Sequence, residues 1–225
     1  METSARPRTA IGVVARAPSA PGKSRLAPHL SAARLLALRV ALLADVLRVV
    51  SALNDVDRFL FFTPDDAEPE LAAMCGGAFT LRPQCRGDLG QRMHAVFEEL
   101  LVDGGYESAI LIGSDLPLFT AAHFAAARDR LRKDWDVALG PAADGGYYLI
   151  GLRTPVARLF EDIDWGAGTV LFDTVRNAVR LGLAPKIMER LYDLDTIEDL
   201  RRLERDLSSA PDDVAPHVRK WFRGE

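Results

Sequence analysis

Apolar positions along this chain fall into short buried runs that alternate with longer stretches at helical spacing. Residues 9–15 form a β-branched apolar run and predict a buried strand. Residues 16–28 contain Pro18, Pro21, Gly22 and Pro28 and predict a loop. Ser31 predicts an N-cap and residues 32–53 a long helix, with Leu35, Leu38, Leu42, Val46, Val49 and Leu53 recurring on one face. A strand is expected over 58–63, closed by Pro64 and the acidic turn Asp65–Asp66. A short helix over 68–75 and a weaker strand over 78–82 follow. After a turn at 87–90, residues 89–102 predict a helix with Met93, Val96, Phe97 and Leu100 on one face.

The clearest strand spans 108–113, apolar throughout its centre, and Thr120 is expected to cap a helix running to about Lys133. Residues 136–139 and 147–152 predict strands flanking a Gly-containing loop. Helices are expected over 168–181 and 196–207, with a strand over 186–191 between them. From Ser208 the chain reads as a polar, Pro-containing tail whose Trp221–Phe222 pair docks on the body. Alternation of strand and helix predicts a single α/β domain, a core of about 9–207 built on a mostly parallel sheet with helices on both faces. Such sheets place ligands beyond the carboxyl ends of their strands.

Composition narrows the partners. The 225 residues are 48% hydrophobic and 27% charged, which is ordinary for a globular protein. A net charge of −4 without a basic block argues against nucleic acid or an anionic membrane as the main partner. The longest apolar stretch, 35–53, is interrupted by Arg39, Asp45 and Arg48 and does not predict a membrane span. No apolar leader precedes Arg16, so the expected location is the cytoplasm. Cys75 and Cys85 form no Cys-x-x-Cys pair and are expected to be ordinary reduced thiols. His29, His94, His123 and His217 show no triad or metal spacing and are expected at the surface or in packing.

Four motifs stand at predicted strand ends. Arg16, Gly22, Lys23 and Arg25 lie in the loop after the first strand. Gly22 allows backbone amides to approach an anion, and Lys23 and Arg25 can hold phosphate oxygens, although the loop is not a Walker motif. Asp115 ends the run Ile110-Leu111-Ile112-Gly113-Ser114. It is placed either to bind a hard cation, Mg²⁺ or Mn²⁺, or to cap the turn at Pro117. Asp144-Gly145-Gly146-Tyr147-Tyr148 reads either as a hairpin turn or as a site where the glycines admit a ligand and Asp144 and a tyrosine meet an acceptor. In Asp193-Leu194-Asp195-Thr196, one aspartate completes a metal site opposite Asp115, or Asp195 or Thr196 caps the next helix. Gly87-Asp88-Leu89-Gly90 with Arg92 is a weaker signal, a turn and helix start.

Together these segments resemble the bacterial transferases associated with radical-SAM and selenoprotein-like domains, members of the GT-A-type nucleotide-diphospho-sugar transferase superfamily. The likeness runs from about Ile11 to Leu200. It rests on the Arg16–Leu26 loop, on Gly87–Met93, on Gly113-Ser114-Asp115-Leu116-Pro117, on 140–152 and on 192–200. Lys is common in the family where Arg16 stands, Cys where Leu116 stands, Pro where Ile197 stands and Ser where Gly166 follows Trp165.

The resemblance implies a GT-A fold, a nucleotide pocket including Arg16, Gly22, Lys23, Arg25, Gly87, Asp88 and Arg92, and a divalent cation at Asp115 with Asp193 or Asp195. It also implies an acceptor region of Asp144, Gly145, Gly146, Tyr147, Tyr148 and Trp165. The Lys-x-Arg-Leu loop resembles that of the guanylyltransferases of deazaflavin cofactor synthesis. The leading expectation is transfer of a nucleoside monophosphate from a nucleoside triphosphate to a small, phosphorylated acceptor. The alternatives are glycosyl transfer from a nucleotide sugar and nucleotide binding without turnover. One carboxylate stands where many metal-dependent glycosyltransferases carry Asp-x-Asp, and with the cationic loop this favours nucleotidyl transfer. A homodimer is compatible with this reading.

Overall fold

A computed structural model describes residues 9–225; the expected absence of a leader concerns residues that fall partly outside this range. The strands are β1 (Thr9–Arg16), β2 (Val56–Thr63), β3 (Thr80–Pro83), β4 (Ser108–Ile112), β5 (Val137–Pro141), β6 (Tyr147–Leu152) and β7 (Pro185–Ile187). The helices are α1 (Ala32–Ser51), α2 (Glu68–Cys75), α3 (Leu89–Glu98), α4 (Ala121–Lys133), α5 (Val170–Arg180), α6 (Ile197–Ser209) and α7 (Pro216–Arg223). One sheet runs in the order β3-β2-β1-β4-β6-β5-β7. Every neighbouring pair is parallel except those that β6 makes with β4 and β5. A parallel neighbour needs a crossover, whereas β6 follows β5 by a short hairpin and therefore returns antiparallel.

Strand side chains alternate between two cores. Ile11, Val13, Leu60, Phe62, Ile110 and Ile112 pack on one face beneath α1, α2 and α4. Ala10, Phe61, Ala109, Leu111, Leu139 and Ile150 pack on the other beneath α3 and α5. Because both faces are covered, the central strands are apolar without interruption, which is why β4 was legible as a buried run.

Helix starts follow local capping chemistry. The Ser31 side chain accepts a hydrogen bond from the Arg34 amide, and Asp88 and Gln91 close a capping box on α3. Several expected boundaries shift. The first long helix ends at Ser51 rather than Leu53, and the α3 pattern continues past Glu98 as a π-helical turn at Glu99–Asp103. The strand expected over 186–191 is confined to Pro185–Ile187. Beyond it, only Met188 and Leu191 donate singly, to the Leu139 and Pro141 carbonyls.

The polar tail expected from Ser208 is instead the end of α6 followed by α7. That helix packs with α6 against α1 in a third core containing Leu38, Leu42, Leu203, Val218 and Trp221. Its anchor is Asp45, 2% exposed, whose two oxygens accept the amides of His217 and Val218 at 3.0 Å each. Trp221 donates its indole N–H to the Arg34 carbonyl at 2.9 Å. Replacing Asp45 with alanine strands one buried and one part-buried amide and is expected to cost about 2–3 kcal/mol. Urea unfolding would show this as a lowered midpoint; an unchanged midpoint would mean that α7 is held by its apolar face alone.

Candidate active site at the carboxyl ends of the strands

Three chain segments meet beyond the carboxyl ends of β1 and β4. The loop after β1 turns at Lys23, which holds a left-handed backbone with φ +51°, a conformation that costs a side-chain-bearing residue roughly 1–2 kcal/mol. The conformation aims the lysine inward, where its side chain is 5% exposed. Its ammonium lies 2.9 Å from Asp115 Oδ2 and 3.1 Å from Asp195 Oδ1, and it also donates to the Leu194 carbonyl. The segment 193–195 reaches this point because the Leu194 amide donates to the Asp115 carbonyl at 3.2 Å. Residues separated by 92 and 172 positions from Lys23 therefore surround one positive charge.

Thr196, not Asp195, caps α6. Its hydroxyl accepts the Asp199 amide and donates to the Asp199 carboxylate, leaving the Asp195 side chain to face Lys23. Asp193 lies deeper. Burial pushes its carboxyl up to about 7, and the neighbouring charges of Asp144, Asp195 and Asp115 push in the same direction, against Lys23. Two carboxylates hold Lys23 directly and a third, Asp193, lies beside them, a surplus of negative charge that suits a hard cation. Among the described residues, however, no three His, Cys, Asp or Glu side chains are arranged to hold a metal ion. Lys23 sits between two of the carboxylates instead.

The raised Asp193 carboxyl has a consequence for stability. The folded protein holds this proton up to about pH 7, whereas an unfolded aspartate releases it near pH 3.9. Metal-free protein is therefore expected to lose stability as pH rises through that window, by up to roughly 4 kcal/mol. Asp193→Asn should flatten the dependence and raise the melting temperature at pH 8. Melting curves in chelator that show equal pH slopes for both proteins would refute this.

Two cavities flank the Lys23 cluster and share Ser114, Asp115 and Asp195. One, of about 290 Å³, is cationic: Arg16, Lys23 and Arg39 line it together with Gly22. The other, of about 270 Å³, is walled by Leu89, Met93, Leu111, Tyr147 and other apolar residues, with Asp193 at its acidic end. Arg39 was not foreseen as a site residue; in the sequence it only interrupts an apolar stretch. From α1 its guanidinium donates to the Ala17 carbonyl at 2.9 Å and to the Ala20 carbonyl, holding the cationic loop from below. Arg16 ties the same loop through the Pro21 carbonyl at 3.1 Å. Ser19 is fastened to Glu70 of α2 through its amide and hydroxyl.

The other expected site residues divide between this site and places away from it. Arg25 is exposed and lines neither cavity. Asp88 is the α3 N-cap, and Arg92 donates to the Gly87 carbonyl at 2.9 Å. Gly87 and Arg92 line a further cleft that reaches Arg16. Asp144 is exposed and its carboxylate accepts the Gly146 amide at 2.9 Å, so 142–146 is the hairpin turn that Asp-Gly suggested. Gly145 has φ +92°, and a Cβ there would meet the Gly168 carbonyl oxygen at 2.0 Å. The close approach of that carbonyl requires glycine here. Tyr147 and Tyr148 line the second cavity, but their hydroxyls are engaged, with Met93 Sδ at 3.8 Å and the Glu189 carbonyl at 3.2 Å. Burial raises both phenol pKa values, that of Tyr148 to about 12. Trp165 lies on the far side of α3, against Gly90 and Phe160, in a separate cleft.

A seven-stranded sheet of this order, with a cationic loop and a carboxylate cluster at its strand ends, is the GT-A-type fold of the nucleotide-diphospho-sugar transferases. The crystal structure of a "putative nucleotide-diphospho-sugar transferase" from Desulfovibrio desulfuricans G20 superposes with a TM-score of 0.86 at 28% identity, covering 95% of this chain and 94% of that one. A cytidylyltransferase from Leptospira borgpetersenii serovar Hardjo-bovis shares the fold at a TM-score of 0.58 and 12% identity, over 96% of this chain and 94% of that one. The chain belongs to DUF2064, a family of uncharacterized proteins conserved in bacteria, whose pattern matches residues 46–167. It is also 28% identical over 106 residues to the phosphoenolpyruvate guanylyltransferases of Mycobacterium ulcerans (strain Agy99) and Mycobacterium marinum (strain ATCC BAA-535 / M). That match covers 47% of this chain and spans about half the length of those relatives, 49%.

Proposed function

We propose that this protein transfers a nucleoside monophosphate from a nucleoside triphosphate to a small acceptor and releases pyrophosphate. The observation that carries the reading is the shared wall of the two cavities: Ser114, Asp115 and Asp195 stand where a cationic compartment, which holds Lys23, meets a second compartment. A triphosphate in the first would place its α-phosphorus near an acceptor oxygen in the second. That oxygen would form the new P–O bond as the bond from the α-phosphorus to the α–β bridging oxygen breaks and pyrophosphate departs. Positioning and charge neutralisation dominate such displacements, so no protein nucleophile is required.

Within this scheme Lys23 and Arg16 hold the polyphosphate, while Arg39 fixes the loop that presents Lys23 and Gly22 lines the same cavity. Asp115, Asp195 and Asp193 would hold Mg²⁺ or Mn²⁺, and their hard oxygens and surplus negative charge fit such an ion. When bound, the cation would neutralise charge on the phosphates. Lys23 would leave the acid pair for the polyphosphate as the cation takes its place. Glycosyl transfer is the weaker reading, because Ser114-Asp115-Leu116 supplies one carboxylate where Asp-x-Asp would supply two. The guanylyltransferase relatives bring the same preference to this chain.

The test is to incubate the protein with each nucleoside triphosphate, Mg²⁺ and a panel of small phosphorylated and phosphonate acceptors, and to measure pyrophosphate. Acceptor-dependent release with one triphosphate supports the reading. Nucleoside diphosphate formed only from sugar nucleotides would replace it with glycosyl transfer.

A further inference from the structure

Helix α5 buries one side and leaves an apolar stripe on the other. Val170, Thr174, Asn177 and Ala178 form the buried side. Asn177 fastens it by donating to the Leu159 and Glu161 carbonyls at 3.3 and 2.8 Å. Phe172, Val175 and Val179 follow at intervals of three and four residues and so share the opposite side. Val175 is partly buried, whereas Phe172 is 68% and Val179 62% exposed.

The stripe continues onto the edge of the sheet. Ile187 of β7 pairs with Leu139, whose side chain belongs to the core beneath α3 and α5, and parallel partners point to the same face. β7 is the outermost strand, so Ile187, 45% exposed, stands on the α5 side with no strand beyond it. Three of the seven large hydrophobic side chains exposed among the described residues thus gather at one edge. Scattered exposed apolar residues need no explanation, but a gathered patch marks an interaction surface.

Two features select what covers it. β7 has three residues, begins with Pro185 and carries Lys186. Short edge strands with proline and lysine resist strand pairing, so the occupant is not a strand added to the sheet. The charges on α5 fit a second copy of the same helix. Asp173, near its start, pairs with Arg176 through Oδ1, which leaves its other oxygen to accept. Arg180, at its end, is exposed and makes no ion pair among the described residues. Asp173 precedes Arg180 by the same seven positions that separate Phe172 from Val179. Two antiparallel copies therefore set Phe172 against Val179 and Arg180 against Asp173, twice over. Parallel copies would set each charge against its like, which is unfavourable.

We propose that this protein forms a two-fold dimer through antiparallel α5 helices, with Ile187 at the rim. Such a contact uses one patch twice and closes on itself. The helix has 11 residues and is about 16 Å long, so the contact is small. Its expected Kd is about 1–50 µM.

Sedimentation equilibrium of the full chain, across and well above that range, should show the mass climbing from monomer towards twice its value. Phe172→Glu should weaken association at least about tenfold. Arg180→Glu should weaken it by about tenfold, because two rim pairs become repulsive. Both positions are exposed, so both variants should melt with the parent at monomeric dilution. The arrangement is read by cysteines in a Cys85→Ser background, where the remaining native thiol, Cys75, is buried. A mixture of Phe172→Cys and Val179→Cys proteins should cross-link under mild oxidation faster than either protein alone, since like positions would lie about 10 Å apart along the helices, beyond the ~7 Å reach of a disulfide. Three results would overturn the proposal. A monomer at every concentration would leave the patch to a different protein. Dimers unmoved by Phe172→Glu would place the contact on another face. Faster cross-linking of either single variant than of the mixture would exclude the antiparallel arrangement.

Discussion

Asp115→Asn is expected to lower pyrophosphate release by roughly 10³-fold or more while leaving the fold intact. The expected size follows from removing one preorganised group that neutralises charge at the reacting centre, an effect of about 10²–10³, together with weakened cation binding at the same point. Folding should be spared because the Asp115 side chain is 40% exposed and the Lys23 ammonium keeps Asp195 and the Leu194 carbonyl as partners. The measurement is pyrophosphate formation at saturating triphosphate, paired with a melting curve. Release within tenfold of the parent protein would mean that this carboxylate is a turn cap and nothing more.

Lys23→Met should produce two effects of opposite sign. Triphosphate turnover should fall by about 10²–10³, since a buried cation aimed at the shared wall is lost. Binding of Mn²⁺ alone should tighten by at least about tenfold. In the parent protein a divalent ion must displace an ammonium held by two carboxylates and a carbonyl, whereas in the variant the carboxylates repel one another without a counter-ion. Calorimetry or the free-Mn²⁺ resonance would report the change. Weaker or unchanged Mn²⁺ binding in Lys23→Met would show that the ammonium and the metal do not compete for these acids.

Elements whose cause is local were legible from residue order. Ser31 caps α1, the 68–75 helix and the 147–152 strand appear at their expected bounds, and the apolar centre of β4 marks a strand buried on both faces. Features set by distant partners were not. The terminal residues 216–223 look polar and Pro-containing, and they form a helix because Asp45, 172 positions earlier, accepts its first amides. The antiparallel direction of β6 follows from its short hairpin with β5, but its insertion between β4 and β5 is set by strand placement in the sheet, which residue order does not encode directly.

Site residues divide in the same way. Lys23 and Asp115 could be placed at the ends of buried strands, and the rule for parallel sheets brought them to one side. Arg39 was hidden because a charged residue on a helix is ordinarily a solvated one; its role depends on two carbonyls of the loop folding back over it. Arg25 carried the resemblance and Trp165 was implied by it, but both lie away from the shared wall. The raised Asp193 carboxyl, buried beside the charges of Asp144, Asp195 and Asp115, depends on convergence that no spacing reveals.

Following label from two positions of the same triphosphate tests the central claim most directly. With the accepted nucleotide and acceptor, α-³²P should enter the acceptor product and γ-³²P should appear in pyrophosphate, in equal amounts and at the same rate. Label from the γ position emerging as orthophosphate, or α-label remaining with a nucleoside diphosphate, would contradict it.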